Sequence, residues 1–167
     1  RLSEITPRGS VDWSSWTREL SAQRQAAGLS VDWSDYVKAA IIALQERERG
    51  IDGGYVRKLC GMNLLVDSDL PTAAGLSSSS ALVVASAYAV IACNRLSSAG
   101  ASPSHDAPEI LIELLGEAEW YVGVRGGMGD HAVIILGRCG QLAHIQLSPI
   151  HVEYAPFPVD YRIVVCH

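Results

Sequence analysis

The sequence predicts a single α+β domain, and three observations support this prediction. Segments with helical periodicity and segments with strand character both occur, without the strict alternation that is typical of a parallel α/β sheet. The chain has 167 residues, enough for one domain with a core of its own. Its composition, 49% hydrophobic and 19% charged, is typical of a soluble globular protein rather than a disordered one.

The first predicted helices follow two similar phrases, SVDWSSW at residues 10–16 and SVDWSDY at residues 30–36. In each, Asp and Ser are expected to cap the helix while an aromatic residue packs at its entry. We assign residues 1–32 to a helical lead-in. The second helix has an apolar face from Tyr36 to Leu44 and ends at Gly50.

The remaining elements follow from glycine, proline and apolar patterns. Helices are predicted from about Ser77 to Asn94, over residues 109–122 behind Pro108, and from the glycine-rich loop 123–131 to Gly137. Two short strands are predicted within residues 55–70, broken near Gly61, and two more at 141–147 and 161–166. A polar linker is predicted over residues 97–107.

Charge and hydropathy argue against two classes of partner. The net charge of −5 disfavours a nucleic-acid surface, and the longest apolar stretch, residues 81–93, is too short to span a bilayer. Without a visible signal peptide, we predict a cytoplasmic location with no nucleic-acid or membrane partner. The four cysteines form no CxxC pair and are expected to be reduced core residues: Cys60, Cys93, Cys139 and Cys166.

A run of four serines follows a glycine turn in LPTAAGLSSSSA, residues 70–81. The start of a helix presents free N–H groups and the positive end of the helix dipole, so it attracts phosphate. Serine hydroxyls there can bind phosphate oxygens or complete the oxygen shell of Mg²⁺. The stretch has neither a Walker A Lys nor a GxGxxG or GxSxG pattern, and composition alone equally allows a serine-rich helix start that only caps itself.

The string PTAAGLSSSSA, residues 71–81, closely resembles the second motif of the GHMP small-molecule kinases, Pro-x-x-x-Gly-Leu-x-Ser-Ser-Ala, with one extra serine. EAEWYVGVRGGMGDHAVIILG, residues 117–137, resembles the catalytic-aspartate region of the galactokinase branch, and WSDYVKA, residues 33–39, resembles the helix that precedes its nucleotide half. The resemblance implies an incomplete two-layer α+β sandwich like ribosomal protein S5 domain 2. Residues 1–167 would be part of the N-terminal, phosphate-binding and catalytic domain, with the remaining parts of the parent kinase chain as partners.

The resemblance also implies the site residues of an ATP-dependent sugar kinase. Asp130 would act on the acceptor hydroxyl as the catalytic base. Ser79 and Glu119 would bind Mg²⁺, and Arg125, Gly127 and Asp130 would contact the sugar. The ATP phosphates would lie on Ala73, Ala74, Gly75, Leu76, Ser77, Ser78, Ser79 and Ser80.

Helical geometry supports Glu119 independently of the resemblance. On a helical wheel it lies near the apolar residues Ile112 and Leu115, whereas Glu113 and Glu117 face away. An inward carboxylate needs a partner such as a cation. Structural alternatives to these functional roles remain open for three residues: a surface position for Glu119, a turn-forming role for Asp130 and a solvated side chain for Arg125. No histidine has metal-ligand spacing.

The departures from the family pattern limit the functional prediction. The galactokinase string Gly-Arg-x-Asn-x-x-Gly-Glu-His and the third glycine-rich motif are absent from this sequence, and His131 stands where most galactokinases have glutamine. We therefore expect the chain to be inactive by itself and the sugar to be undetermined. The alternatives are a non-catalytic sugar and ATP sensor, or a GHMP kinase for arabinose, glucuronate or a heptose.

Overall fold

Helices and one hairpin build the part of the chain that the structure describes, residues 13–50, 52–96, 107–123 and 126–165 of a computed structural model. The helices are α1 (Trp13–Ala26), α2 (Trp33–Arg47), α3 (Ser78–Asn94), α4 (Pro108–Ala118), a 3₁₀ helix (Glu119–Val122) and α5 (Gly129–Leu136). The hairpin consists of β1 (Gln141–Leu147) and β2 (Ile150–Pro156). The mixed α+β class is thus confirmed.

The helix predictions agree with the structure to within a few residues. Asp32 caps α2 in a capping box with Asp35, and Pro108 occupies the first turn of α4. The predicted helix 109–122 is wrong in one respect, because its last turn tightens into the 3₁₀ helix. That turn ends at Gly123, whose φ of 101° is a left-handed value that favours glycine.

Three of the four predicted strands are wrong. β1 is confirmed, but it pairs in antiparallel register with residues 150–156 rather than 161–166, with His144 opposite Glu153. The nearby segment 150–156 reaches β1 through a two-residue turn and takes up its hydrogen-bonding edge. Residues 161–165 form no strand, and residue 166 lies outside the described part of the chain.

Residues 55–70 form no strand either, apart from a single bridge between Tyr55 and Arg49. Side-chain amides bind part of this backbone instead. Gln45 donates to the Arg57 carbonyl at 2.9 Å and accepts from the Leu59 N–H at 2.9 Å. Asn94 accepts from the Cys60 N–H at 2.6 Å. Helices α2 and α3 therefore hold the segment where a neighbouring strand was expected.

The core lies where α2, α3 and α4 pack together. Its fully buried side chains include Leu44, Val83, Val90, Leu111 and Leu115, each 0% exposed. The prediction that the cysteines are core residues is wrong for Cys60, Cys93 and Cys139, which are free thiols at exposed positions, and Cys166 lies outside the described residues. Among the described helices, none is long and apolar enough to cross a membrane.

Asp35 connects the lead-in helix α1 to α2. Its buried carboxylate accepts from Lys38 Nζ at 2.8 Å and pairs with Arg24 of α1 at 3.0 Å, while it also accepts the Asp32 N–H. Burial opposes ionisation of Asp35, but these contacts outweigh it and lower the pKa of Asp35. The lead-in helix is thus fixed by a charged contact as well as by packing.

We predict that Asp35→Asn lowers the free energy of unfolding by about 1–2 kcal/mol at neutral pH, because the charge-assisted contacts are lost. Since the folded pKa of Asp35 is lowered, its contribution is complete above the ordinary value of 3.8 and disappears as the pH falls through the folded pKa. Urea unfolding should therefore show a difference between wild type and variant that shrinks in acid. The exposed Asp69→Asn is the control. An equal difference at all pH values would contradict the assignment.

Candidate active site

The loop before α3 has an unusual backbone. Ala73, Gly75 and Ser77 have φ angles of 57°, 71° and 53°, with residues of negative φ between them. Backbone that alternates in this way is typical of anion-binding nests, in which neighbouring N–H groups point to one side. Left-handed conformations cost free energy at Ala and Ser, and strained residues of this kind are concentrated at functional sites.

The start of α3 keeps its N–H groups available. Ser77 makes no capping hydrogen bond with its side chain, and the first helical bond runs from the Ala81 N–H to the Ser77 carbonyl at 2.9 Å. Ser78 and Ser79 are half-buried, whereas Ser80 is only 2% exposed. The serine run thus has two accessible hydroxyls followed by one that points into the protein.

Glu119 is the buried carboxylate at the centre of the site. It is 6% exposed, as the helical wheel predicts, while Glu113 and Glu117 are exposed. Ser80 Oγ donates to Glu119 Oε1 at 2.7 Å. His131 Nε2 lies 3.5 Å from the same oxygen. One carboxylate oxygen therefore contacts a residue from each glycine-rich motif.

Electrostatics keep Glu119 ionised. Burial alone would raise the pKa of Glu119, but the contacts with His131 and Ser80 outweigh burial and lower it. The negative charge also acts on its neighbours: burial, followed by the charges of Glu119 and Asp35, raises the pKa of the Tyr36 phenol. A buried, ionised carboxylate is a hard oxygen ligand of the kind that Mg²⁺ prefers.

The glycine-rich loop packs closely on the helix that precedes it. A Cβ atom on Gly116 would lie 2.9 Å from Met128 Cβ, so only glycine allows α4 this near to the start of α5. A Cβ atom on Gly126 would lie 3.8 Å from Glu119 Oε2, which places the loop beside the second carboxylate oxygen. Asp130 follows in the first turn of α5, exposed to solvent. An exposed carboxylate there is accessible to a substrate hydroxyl.

The predicted sugar-contacting residues fall into two groups. Gly127 lines a cleft of about 330 Å³, whose other walls include Glu113, Glu117 and Trp120. Arg125 lies outside the described residues. The structure thus places Gly127 beside an open cleft and gives no position for the predicted arginine.

The hydrogen bond to Glu119 comes from a serine that the predicted magnesium pair does not include. The predicted magnesium pair was Ser79 with Glu119, whereas the hydrogen bond to Glu119 comes from Ser80. Sequence reasoning also missed His131, which is 1% exposed and has no hydrogen-bond partner at either ring nitrogen among the described residues. The available signal was its position directly after Asp130, where glutamine was expected from the family resemblance.

Comparison with known proteins shows the family. The family model of the GHMP kinases N terminal domain matches residues 35–138. The chain belongs to the GHMP kinase family. The matched range of this GHMP kinase chain includes the serine run, Glu119 and Asp130, and its galactokinase-like character is supported by the relatives described next.

Curated relatives are galactokinases at about 30% identity. The galactokinase of Roseiflexus sp. is 31% identical over 134 residues, which are 80% of this chain and 30% of the relative. That of Chloroflexus aurantiacus is 32% identical over 71% of the chain and 29% of its own length. For Thermotoga maritima, identity is 30% over 77% of the chain and 32% of the relative. The chain spans about 30% of the length of these relatives. No solved structure matches it.

We predict that Gly116→Ala lowers the free energy of unfolding by about 1–3 kcal/mol, because the added methyl group would overlap Met128. The backbone amides of residues 126–130 should shift in nuclear magnetic resonance spectra. Gly61→Ala is the matched control, since nothing lies within 4 Å of its Cβ position and its φ is not left-handed. Equal stability of the two variants would show that the close approach does not position the loop.

Proposed function

We propose that the chain forms the phosphate-binding and catalytic part of an ATP-dependent sugar kinase. The observation that carries this proposal is the meeting of both glycine-rich motifs at Glu119, through Ser80 at 2.7 Å and His131 at 3.5 Å. The contact brings the proposed phosphate loop and the element that carries Asp130 to one carboxylate. Membership of the GHMP kinases and similarity to galactokinases support the same activity.

The phosphate groups of ATP would lie at the start of α3. The nest from Ala73 to Ser77, the uncapped N–H groups and the accessible hydroxyls of Ser78 and Ser79 are all hydrogen-bond donors, and the helix dipole favours an anion there. These groups fix the triphosphate without a lysine. The proposed roles of Ala74 and Leu76 near the phosphates follow from the same loop, whereas the buried hydroxyl of Ser80 donates to Glu119 instead.

The donor set fits a magnesium ion. Glu119 is an ionised carboxylate and Ser79 a half-buried hydroxyl, and Mg²⁺ commonly takes one or two protein oxygens together with phosphate and water. When bound, the ion would neutralise charge on the phosphates during transfer. Glu119 contributes a fixed negative charge, and Ser79 contributes a neutral oxygen one helical position from Ser80.

Asp130 would orient the acceptor hydroxyl and accept its proton as the hydroxyl oxygen attacks the γ-phosphorus. Its exposure and its place in the first turn of α5, directly after the glycine-rich loop, suit this role. Gly127 and Arg125 would contact the sugar. We propose that the chain is one part of an N-terminal domain with the S5-like sandwich, and that the sugar-gripping segment lies in the rest of that kinase.

The proposed ATP site can be tested by calorimetric titration of the 167-residue chain with MgATP. We expect binding that requires Mg²⁺ and that weakens in Glu119→Gln, most strongly at low Mg²⁺ concentration. Glu117→Gln is the matched control, because Glu117 is an exposed glutamate at the end of the same helix. Nucleotide binding that does not depend on Mg²⁺ or on Glu119 would contradict the assignment.

The catalytic role of Asp130 can be tested in the whole kinase with a panel of hexoses and pentoses. Asp130→Asn should reduce turnover by roughly 10²- to 10⁴-fold, as expected for loss of a general base, with nucleotide affinity nearly unchanged. The exposed Asp160→Asn is the control. Normal turnover in Asp130→Asn would exclude the role. Nucleotide and sugar binding without any turnover in the wild-type protein would favour the sensor alternative.

A further inference from the structure

The run of four serines contains one member that the phosphates do not require. Ser80 is 2% exposed and its hydroxyl donates to Glu119 Oε1, whereas Ser78 and Ser79 are only half-buried. Consecutive helical residues differ by about 100° in direction, so Ser79 and Ser80 cannot both face the same ligand in the same way. The buried hydroxyl acts on the carboxylate.

His131 contacts the same carboxylate oxygen from a different helix. Its ring is 1% exposed, and neither ring nitrogen has a hydrogen-bond partner within the described ranges. The 3.5 Å between Nε2 and Glu119 Oε1 is longer than a good hydrogen bond. A buried imidazole without partners is costly, so this ring needs a role that offsets the cost. The nearby carboxylate is the charged group that it can bind.

The two contacts leave the other carboxylate oxygen on the opposite side. A Cβ atom on Gly126 would lie 3.8 Å from Glu119 Oε2, so the glycine-rich loop adjoins this oxygen through a residue that has no side chain. Oε1 is therefore held by protein groups, while Oε2 faces the loop that leads to Asp130. A carboxylate held in this way presents one defined oxygen to a ligand.

We propose that Ser80 and His131 are positioning residues that hold Glu119 Oε1, so that Glu119 presents Oε2 to the nucleotide-bound cation. This proposal rests on the proposed function and deepens it. Ser80 donates through its hydroxyl, and His131 donates through Nε2–H in the tautomer that carries the proton on that nitrogen. Residues that orient a metal-binding side chain commonly change metal affinity by 10- to 100-fold when they are removed.

If Ser80 and His131 hold Glu119, removing either side chain should weaken the binding of Mg²⁺ in the nucleotide complex. In calorimetric titrations of the 167-residue chain with ADP, Ser80→Ala and His131→Leu should each raise the Mg²⁺ concentration for half-maximal binding by roughly tenfold or more. ADP affinity at saturating Mg²⁺ should stay within about threefold of wild type, because the phosphate loop is unchanged. His131→Gln keeps an N–H donor and should restore most of the loss that His131→Leu shows.

Matched controls separate positioning from a general effect on packing. Ser86→Ala removes a buried serine hydroxyl of the same helix, 4% exposed, and should leave the Mg²⁺ requirement unchanged. Double variants that combine Ser80→Ala with Glu119→Gln should lose no more than Glu119→Gln alone. Two results would overturn the proposal even if Glu119→Gln itself shows a defect. One is an additive loss of Mg²⁺ affinity in the double variant, and the other is a wild-type Mg²⁺ requirement in both Ser80→Ala and His131→Leu.

Failure of the proposed function would look different. In that case wild type would not bind MgADP, or Glu119→Gln would have no effect, and both proposals would fall together. A second measurement needs no variant. Nuclear magnetic resonance of the wild-type chain can record the ¹⁵N resonances of the His131 ring, which distinguish its two tautomers. We expect the Nε2–H tautomer and a shift of these resonances when MgADP is added. The Nδ1–H tautomer, or a resonance that does not respond to MgADP, would also overturn the proposal.

Discussion

The buried negative charge of Glu119 is the constraint on which the arrangement of the site depends. A carboxylate that is 6% exposed must be compensated, and here the compensation comes from Ser80 on α3 and His131 on α5. Glu119 itself stands where α4 tightens into the 3₁₀ helix. Three helical elements are therefore held together by one ionised group, at which the serine run and the glycine-rich loop 123–131 meet.

Contacts around Glu119 position the helices that meet there. Gly116 allows α4 to approach Met128 closely, which fixes the start of α5 and with it both Asp130 and His131. On the other side, the pair between Arg24 and Asp35 ties α1 to α2, and α1 in turn packs on the 3₁₀ helix. Gly116 thus sets the distance between α4 and α5, and the pair of Arg24 with Asp35 fixes α1 against α2. The site thus combines a rigid carboxylate with an exposed aspartate one residue before the buried histidine.

Local signals predicted the helices and the burial of Glu119 well. The apolar run behind a glycine turn placed α3 within one residue, and a helical wheel placed Glu119 inward. The strands failed where partners are distant, because Gln45 and Asn94 bind backbone groups of residues 57–60 that no local pattern reveals. The hydrogen bond from Ser80 to Glu119 depends on how α3 is rotated, and the burial of His131 depends on the packing of α5. Neither is readable from one sequence.

The central claim is that Glu119 presents one held oxygen to a nucleotide-bound cation. The most direct measurement is a crystal structure of the chain with Mn²⁺ and a non-hydrolysable ATP analogue, in which anomalous scattering locates the metal. We expect a metal peak within ligand distance of Glu119 Oε2 and of the Ser79 hydroxyl, with Oε1 still bound to Ser80. A metal that contacts only the phosphates, or a Glu119 that turns Oε1 away from Ser80 to bind it, would contradict the account.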